Sequence, residues 1–424
     1  MKIVCFGPGP LFKGGISNYN TSLVKALHDI PGIEVEVVSW TSQYPAIVPR
    51  EFIDKSSKEK FLDDTIPVTY VTNYNNPFTW SETARKIIQA NPDKVIFQWY
   101  NAQQGLPLSF IVKKIKKALP STEIIFDLHF VIPKENSKID RFFTRMGLKH
   151  PHTFIVHAKK TLDELKALFP EEKFVETFDG PRDWLKNTRP ILRLYHPVYD
   201  IFKPIENFDK EKVKQELGLR QYVFLFFGFI RKYKGLHNCI EAFKILTERR
   251  RDVSLLICGE SFWNTLDDRK WNVKLKKWLF SIAKKLFLKK EDDENDYRPL
   301  ELIEKYGLQS FVRVENRFIA NEEVPKFFQV SDAVLLFYET ATPSGVESLS
   351  YNFSLPVLAT KVGHFPETII EGKNGYLAEP GNFKQMADIM EKIITHPVDR
   401  TNIDQMAKKF SWQNYAKTII NDGH

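Results

Sequence analysis

The sequence predicts two doubly wound α/β domains that face each other across a cleft. A chain of 424 residues exceeds the usual size of a single hydrophobic core. Short apolar runs of strand length alternate with amphipathic stretches of helix length. The alternation stops once, near residue 200, and then resumes. Because alternating strands and helices form parallel sheets covered by helices on both faces, each half is expected to be one such domain.

In the first half, six apolar runs predict strands and three amphipathic stretches predict helices between them. The predicted strands are Met1–Phe6, Glu34–Ser39, Pro67–Val71, Lys94–Gln98, Glu123–Asp127 and Thr153–Val156. The predicted helices are Tyr19–His28, Ser81–Gln89 and Leu108–Ala118. Residues 1–200 are therefore assigned to an N-terminal Rossmann-like domain.

The pattern breaks at residues 196–204, which are bracketed by Pro197 and Pro204 and have no helical period. The second domain is assigned to residues 201–397, with an insertion at about 262–300. Residues 398–424 are helical in period and are expected to cross back to the first domain. Six further strands are predicted, at Tyr222–Phe227, Val253–Cys258, Val312–Val314, Ala333–Phe337, Pro356–Ala359 and Gly375–Leu377.

Composition excludes several classes of protein. The chain is 43% hydrophobic and 27% charged, which is typical of a globular protein. Its longest apolar run, residues 222–230, is too short to span a membrane. Cys5, Cys239 and Cys258 each lie in an apolar run, which favours buried thiols over a disulfide or metal framework. The expected location is the reducing cytoplasm.

The net charge favours an anionic partner. Lys and Arg number 61 against 53 Asp and Glu, which gives +8. A phosphate ligand, a nucleic acid or an acidic lipid surface would each suit this charge. The 34 Phe lie mainly in strand-like runs and do not alternate with Arg, so we expect core packing and no nucleic acid.

Ligands of open parallel sheets bind beyond the carboxyl ends of the strands, so the loops there are candidate sites. After the first strand, Gly14 and Gly15 precede a helix and can bring backbone N–H groups close to a phosphate. A tight turn explains them equally well. The dinucleotide-binding fingerprint fails, because Phe12 stands where its last glycine is needed.

Two further loops carry side chains suited to chemistry. His129 follows the fifth predicted strand and can reach into the cleft, although a lone histidine is more often structural. Arg231 and Lys234 follow the strand at 222–227 and can neutralise a diphosphate. A solvated cationic loop is the alternative for this pair.

The loop at 338–349 presents a helix start to the cleft. Ser344, Gly345 and Val346 lie where the first amides of a helix would meet a ligand. Glu347 could accept protons from ligand hydroxyls. An ordinary Ser-capped helix with an acid in its first turn has the same sequence.

Taken together, these loops resemble glycosyltransferase family four, whose retaining GT-B enzymes transfer a sugar from a nucleotide donor. The resemblance spans nearly the whole chain. It depends on the order and spacing of Gly14-Gly15, His196-Pro197-Val198-Tyr199-Asp200, Tyr233-Lys234-Gly235-Leu236, Pro343-Ser344-Gly345-Val346, Pro356-Val357-Leu358-Ala359, Pro366-Glu367 and Gly372-Lys373-Asn374-Gly375.

The resemblance implies roles for individual residues. The amides of Gly14 and Gly15 with Arg231 and Lys234 would hold the donor diphosphate, and His129 would lie near the transferred sugar. The nucleotide base would pack near Arg317, Phe318 and Ile319. Ser344, Gly345 and Val346 would add main-chain contacts to the donor.

One departure from the family concerns two glutamates separated by seven residues, whose places Ala341 and Leu349 occupy here. A subgroup that reads Ser-Gly-Val in this loop is more similar, and Glu347 is then a partial substitute for the missing acids. No cofactor is expected beyond the donor, and no metal, because Asp292-Asp293-Glu294 lies in a charge run and not at a strand end.

The implied activity is that of a retaining, metal-independent glycosyltransferase with a nucleotide diphosphate sugar as donor. The acceptor would be a saccharide or lipid-linked saccharide in the synthesis of cell-surface polysaccharide or glycoconjugate. A noncatalytic GT-B scaffold that binds sugar or nucleotide is the main alternative, because the glutamate pair is missing. A sugar-nucleotide epimerase is a weaker one, since no clear pair of acids is present.

Residues 271–290 form an amphipathic stretch with seven lysines and two apolar rows. One apolar row could pack on the second domain. Two rows with this charge favour an in-plane helix at an anionic membrane surface. The protein would then lie on the inner face of the membrane, next to a lipid-linked acceptor.

Overall fold

The computed structural model describes residues 1–46, 52–58, 61–131, 138–185, 188–261 and 297–421. These residues form two sheets of parallel strands with helices on their faces. The predicted α/β fold of two doubly wound domains is therefore confirmed.

The first sheet has eight parallel strands in the order β3-β2-β1-β4-β5-β6-β8-β7. β1 and β4–β6 carry mostly buried side chains because helices cover both sheet faces. The strands are β1 Lys2–Phe6, β2 Glu34–Ser42, β3 Val68–Asn73, β4 Lys94–Trp99, β5 Glu123–Leu128, β6 Thr153–Val156, β7 Phe174–Thr177 and β8 Arg189–Arg193. The helices are α1 Gly15–His28, α2 Pro77–Ala90, α3 Gly105–Ala118, α4 Lys138–Leu148 and α5 Lys159–Leu168.

The second sheet has six parallel strands in the order β11-β10-β9-β12-β13-β14. They are β9 Tyr222–Phe227, β10 Val253–Cys258, β11 Val312–Glu315, β12 Ala333–Leu336, β13 Val357–Thr360 and β14 Gly375–Ala378. The helices are α6 Lys210–Leu217, α7 Leu236–Arg249, α8 Glu301–Lys305, α9 Val324–Gln329, α10 Gly345–Asn352, α11 Phe365–Thr368, α12 Phe383–Thr395, α13 Arg400–Lys409 and α14 Trp412–Ile420.

The chain passes between the two sheets twice, and the two passages lie side by side. The backbone N–H of Val198 in the first passage donates to the carbonyl of Phe410 in the second, at 2.9 Å. After the second passage, α14 packs against α1 of the first sheet. Val198, Tyr199 and Phe202 belong to a hydrophobic cluster that continues from the first domain into the second.

All twelve predicted strands are confirmed, and two strands were missed. β7 is short and has no buried residue, so it lacks the apolar run that predicts a strand. β8 begins Arg189-Pro190, and a proline argues against a strand interior. Cys5, Cys239 and Cys258 are buried free thiols, as expected.

Most of the predicted insertion, including the amphipathic stretch at 271–290, lies outside the described residues. From that insertion the structure describes residues 297–300, where the Tyr297 hydroxyl lies 2.9 Å from Nδ1 of His237 in α7. Among the described helices, none is both long and apolar enough to cross a membrane.

Candidate functional site

A cavity of about 250 Å³ lies between the carboxyl ends of the two sheets. Its lining comes from the loop after β1, the passage near Tyr199, and the loops after β9, β10, β11 and β12. Of the predicted site residues, nine line it: Gly14, Gly15, Lys234, Arg317, Phe318, Ile319, Ser344, Gly345 and Val346. Arg231, His129 and Glu347 are not among the lining residues.

Two helices begin at this cavity, and neither start is capped by a side chain. α1 begins after Gly14, whose φ of 102° suits glycine, and no side chain bonds the first amides. α10 begins after Ser344, which likewise makes no side-chain cap. The free amides at a helix start carry partial positive charge, so two such starts favour an anion between them.

Tyr199 holds the two helix starts together. Its hydroxyl donates to the carbonyl of Gly15 at 2.9 Å. Its ring lies so close to α10 that a Cβ on Gly345 would stand 2.8 Å from Cε2 of Tyr199. A side chain at position 345 would therefore push Tyr199 away from Gly15. Tyr199 was part of a sequence motif, but nothing in the sequence indicates this contact between two glycines.

Lys234 supplies the cavity with a cation that has no side-chain partner among the described residues. Its Nζ packs against the backbone of Gly228, where a Cβ would come within 2.7 Å of the ammonium. No carboxylate in the described part of the chain forms an ion pair with Lys234. Burial, and then the nearby guanidinium of Arg231, lower the pKa of Lys234 from 10.5 to about 8. The lysine is still mostly charged at pH 7 and is available to an anionic ligand.

Arg231 lies near Lys234 but outside the cavity lining. Its guanidinium lies 5.2 Å from the centre of the Tyr233 ring, within the range of a cation–π interaction. Its positive charge adds to the effect of burial in lowering the pKa of Lys234. Of the two cations that the sequence grouped together, Lys234 therefore lines the cavity and Arg231 does not.

The end of the cavity farther from Lys234 along the sheet edge is aromatic. Phe318, beyond β11, lies with its ring centre 6.5 Å from that of Phe229, beyond β9. Lys13 of the first domain places its Nζ 4.9 Å from the centre of the Phe318 ring. Arg317 lines this end too, but its guanidinium is paired with Glu323 at 2.6 Å. Flat apolar rings with polar neighbours suit a planar heterocycle.

Glu260 is a lining residue that the sequence reasoning missed. It follows Gly259 directly after β10, between the strand ends that carry Lys234 and Phe318. Its Oε2 is buried and has no hydrogen-bond partner within the described ranges. The available signal was its position two residues beyond a buried strand, at the edge where ligands bind.

His129 lies on the first-domain side, buried at 8% exposure. Its Nε2 is 2.8 Å from Oε1 of Gln98, and its ring lies edge-on to Tyr19. Burial lowers its pKa from 6.5 to about 4, so the ring is neutral at pH 7. The structure thus places His129 within the wall of the first domain.

Next to His129 is a buried cluster of Asp127, His157, Tyr19 and Tyr415. Oδ1 of Asp127 lies 2.7 Å from Nε2 of His157, whose Nδ1 is 3.0 Å from the carbonyl of Leu194. The hydroxyls of Tyr19 and Tyr415 are 3.0 and 3.1 Å from Oδ2 of Asp127. Both ring nitrogens of His157 therefore lie within hydrogen-bond distance of an oxygen, one of the Leu194 carbonyl and one of the Asp127 carboxylate.

Burial disfavours the charged form of Asp127, but the cluster outweighs it. His157 and the Tyr19 hydroxyl hold the pKa of Asp127 below its usual value of 3.8. Since Tyr415 belongs to α14, the cluster also joins the helix after the second passage to the first sheet. Sequence reasoning missed this cluster because its members are separated by up to 396 positions.

Glu347 is turned into the second domain. Its Oε2 lies 2.5 Å from Nε2 of His364, and its Oε1 accepts from the hydroxyl of Tyr351 at 2.9 Å. The side chain is buried. Both carboxylate oxygens are therefore already bonded within the protein. The prediction that Glu347 accepts protons from a ligand gains no support from this geometry.

Comparison with known proteins gives the second domain a family resemblance. Residues 207–410 match the family model of glycosyl transferases group 1. Spore coat protein SA of Bacillus subtilis is 23% identical over 54% of this chain and 55% of its own length. The capsular polysaccharide biosynthesis glycosyltransferase CapM of Staphylococcus aureus is 24% identical over 51% of this chain and 48% of its own. The chain thus spans about half the length of these curated relatives.

Solved structures resemble the whole chain. Anabaena HepE in complex with UDP-glucose superposes with a TM-score of 0.64 at 15% identity, covering 99% of this chain and 98% of that one. At this identity the likeness establishes the fold. The two parallel sheets and the cleft between them therefore form a GT-B fold, and the part of it that matches the glycosyl transferases group 1 model is residues 207–410.

Proposed function

We propose that the protein is a glycosyltransferase that transfers a sugar from a nucleotide diphosphate donor to a saccharide or lipid-linked saccharide. The observation that carries the proposal is the cation Lys234, which has no partner in the described part of the chain, in a cavity where two uncapped helices begin. A diphosphate is the ligand whose charge fits this arrangement. The glycosyltransferase relatives of the second domain support the same activity.

The donor would lie along the edge of the second sheet. Its diphosphate would contact Lys234 and the amides at Gly15 and Gly345, and its base would lie beside Phe318 and Ile319. Arg231 would add charge near Lys234. These cations would stabilise the charge that grows on the departing diphosphate, so the proposal needs no metal.

Retention of configuration is part of the proposal. Glu260 is the carboxylate among the lining residues, and it follows β10, between the strand ends that carry Lys234 and Phe318 and on the base side of Lys234, so no acid is offered as a nucleophile at the sugar. The acceptor hydroxyl would approach on the face that the diphosphate leaves, and a diphosphate oxygen would receive its proton. His129, neutral at pH 7, would position the sugar and not exchange a proton with it.

A surface of the first domain supports a lipid-linked acceptor. α3 and α4 pack side by side and expose four large apolar side chains: Leu106, Phe110, Ile139 and Phe142. The same two helices carry exposed cations at Lys113, Lys114, Lys117, Lys138 and Arg141. Exposed apolar side chains on helices that also carry cations suit an anionic lipid surface. Since α3 follows β4 at the edge that faces the cleft, this surface would lie beside the acceptor.

Donor consumption tests the proposal. Purified protein is incubated with a panel of nucleotide diphosphate sugars and saccharide or lipid-linked acceptors, and products are read by mass spectrometry. A new glycoside together with a nucleoside diphosphate is expected, with the anomeric configuration of the donor. A product of inverted configuration would refute retention. Nucleotide binding without donor consumption would favour the noncatalytic scaffold, and conversion of the donor to its epimer would favour the epimerase.

The membrane surface is tested by flotation with vesicles of phosphatidylcholine alone or with phosphatidylglycerol. The double variant Phe110→Ser, Phe142→Ser is expected to lose flotation with the anionic vesicles. The control is Phe178→Ser, which removes an equally exposed phenylalanine outside α3 and α4. A variant that lacks residues 271–290 tests the amphipathic stretch in parallel. If both kinds of variant float as the unaltered protein does, neither surface binds membrane.

A further inference from the structure

Glu260 has no function in the proposed reaction so far, yet it occupies a central place in the cavity. It is the carboxylate among the lining residues, between the cation Lys234 and the ring of Phe318. Its Oε2 is shielded from solvent, and no described residue forms a hydrogen bond with it. An orphaned carboxylate oxygen is unfavourable unless a ligand donates a hydrogen bond to it.

The backbone fixes Glu260 firmly at this place. Its carbonyl accepts from the N–H of Ile230 at 2.9 Å, and the N–H of Gly259 donates to the carbonyl of Glu315 at 3.0 Å. A Cβ on Gly259 would lie only 1.9 Å from the carbonyl oxygen of Gly228, so only glycine allows this approach. Glu260 is therefore held between the loops after β9 and β11.

The order of the strand ends gives the ligand chemistry. β10 lies between β9 and β11, and neighbouring strands are about 5 Å apart. Lys234 follows β9, Glu260 follows β10 and Phe318 follows β11. Along about 10 Å of sheet edge the lining thus offers a cation, then a hydrogen-bond acceptor, then an aromatic ring. A nucleotide presents the matching groups in the same order, which are diphosphate, ribose hydroxyls and base.

We propose that Glu260 accepts hydrogen bonds from the ribose hydroxyls of the donor and makes the site specific for ribonucleotides. The inference rests on the proposed function, because it places the diphosphate at Lys234. An ionised carboxylate offers only acceptors, and vicinal hydroxyls offer two donors. A deoxynucleotide would leave Oε2 without a partner, so it would bind more weakly.

Calorimetry with uridine diphosphate and its 2′-deoxy and 2′,3′-dideoxy analogues tests the inference. If uridine diphosphate does not bind, the ribonucleoside diphosphate that binds most tightly in a panel replaces it. The unaltered protein is expected to lose about tenfold or more in affinity when both hydroxyls are removed. Glu260→Gln is expected to bind the ribonucleotide about tenfold more weakly and the dideoxynucleotide as the unaltered protein does. The matched control is Glu371→Gln, an exposed acid beside β14.

Three outcomes would overturn the inference. Equal affinity for the ribose and dideoxy ligands in the unaltered protein would do so, and so would a loss in Glu260→Gln that is the same for all three ligands. Full ribonucleotide affinity in a folded Glu260→Gln would also do so. If no nucleoside diphosphate binds the unaltered protein, the proposed function fails together with the inference. Thermal melting of Glu260→Gln verifies that the variant is folded.

Discussion

The two walls of the cleft treat charged side chains in opposite ways. On the first-domain side, Asp127 is fully buried and bonded to His157, Tyr19 and Tyr415. On the second-domain side, Lys234 and Glu260 are half-buried and have no side-chain partner within the described ranges. A charge that is partly shielded from water without a partner lowers stability, so its presence favours a role in binding. The first-domain side, which we call the paired wall, stabilises the fold. The second-domain side, which we call the unpaired wall, is available to a ligand.

Removing Asp127 is expected to have the largest effect on the paired wall. Asp127→Ala leaves His157 and two hydroxyls without their acceptor, and loss of one partner of a buried pair costs about 3–5 kcal/mol of stability. Urea denaturation measures this loss. Nucleotide affinity, measured in the folded fraction, should change much less. A variant as stable as the unaltered protein would show that the cluster does not hold the fold.

The pH dependence of stability tests the same carboxylate. The folded pKa of Asp127 lies below 3.8, so the pair contributes fully above the unfolded pKa. That contribution is lost as the pH falls through the folded pKa. The stability of the unaltered protein should therefore drop in acid more steeply than that of Asp127→Asn.

On the unpaired wall, Lys234→Ala is expected to weaken donor binding and leave stability intact. Loss of a charged hydrogen bond should cost about 1.5–3 kcal/mol in affinity. Arg231→Ala should act in the same direction, because its positive charge lies near Lys234. Calorimetric titration with donor is the measurement. Unchanged affinity and turnover in both variants would remove these cations from the diphosphate site.

Proton uptake on binding sharpens this test. With a pKa of about 8, Lys234 is partly neutral at pH 8.5, and a bound diphosphate would raise that pKa. Nucleotide binding at pH 8.5 should therefore take up protons, which calorimetry in two buffers detects. Lys234→Arg, which stays charged, should take up none. Equal uptake in both proteins would assign the proton to another group.

His129 lies between the two behaviours, because it is buried in the paired wall and predicted to serve the sugar. We expect His129→Ala to lower turnover about tenfold, roughly 1.4 kcal/mol, and to change nucleotide affinity less. Since the pKa of His129 is about 4, its ionisation should not change turnover between pH 5.5 and 8. A folded variant with full turnover would make His129 a structural residue.

Tyr415→Phe is expected to have the smallest effect. The variant keeps the ring of α14 in place and removes one hydroxyl from Asp127, which should cost about 1 kcal/mol of stability. Urea denaturation again measures it, and donor affinity should not change. A loss as large as that of Asp127→Ala would mean that α14 depends on this one bond.

The sequence predicted the strands and the loops at their ends because burial and turn signals are local. Gly14, Gly15, Lys234 and Gly345 follow from their places after strands, whereas Phe318 was implied only by the family resemblance. What it could not predict depends on contacts between distant residues. The contact of Tyr199 with two glycines, and the inward turn of Glu347 toward His364, follow from tertiary packing. Glu260 could have been identified as a candidate from its position after a strand. The lack of a hydrogen-bond partner for its Oε2 among the described residues is visible only in the structure.

The first domain can complete its packing only after α14, near the end of the chain, has been synthesised. Tyr19 and Tyr415 meet although 396 positions separate them, and Arg182 bonds the carbonyl of Ile419 at 2.7 Å. A ribosome adding 5–20 residues per second needs roughly 10–40 s to travel from residue 200 to residue 415. During that interval the nascent first domain presents an uncovered α1 to the cell. A chaperone that shields this face would therefore protect the first domain until α14 is made. A stop codon immediately before residue 412 would leave the first domain without α14, although it lies more than 200 codons after that domain.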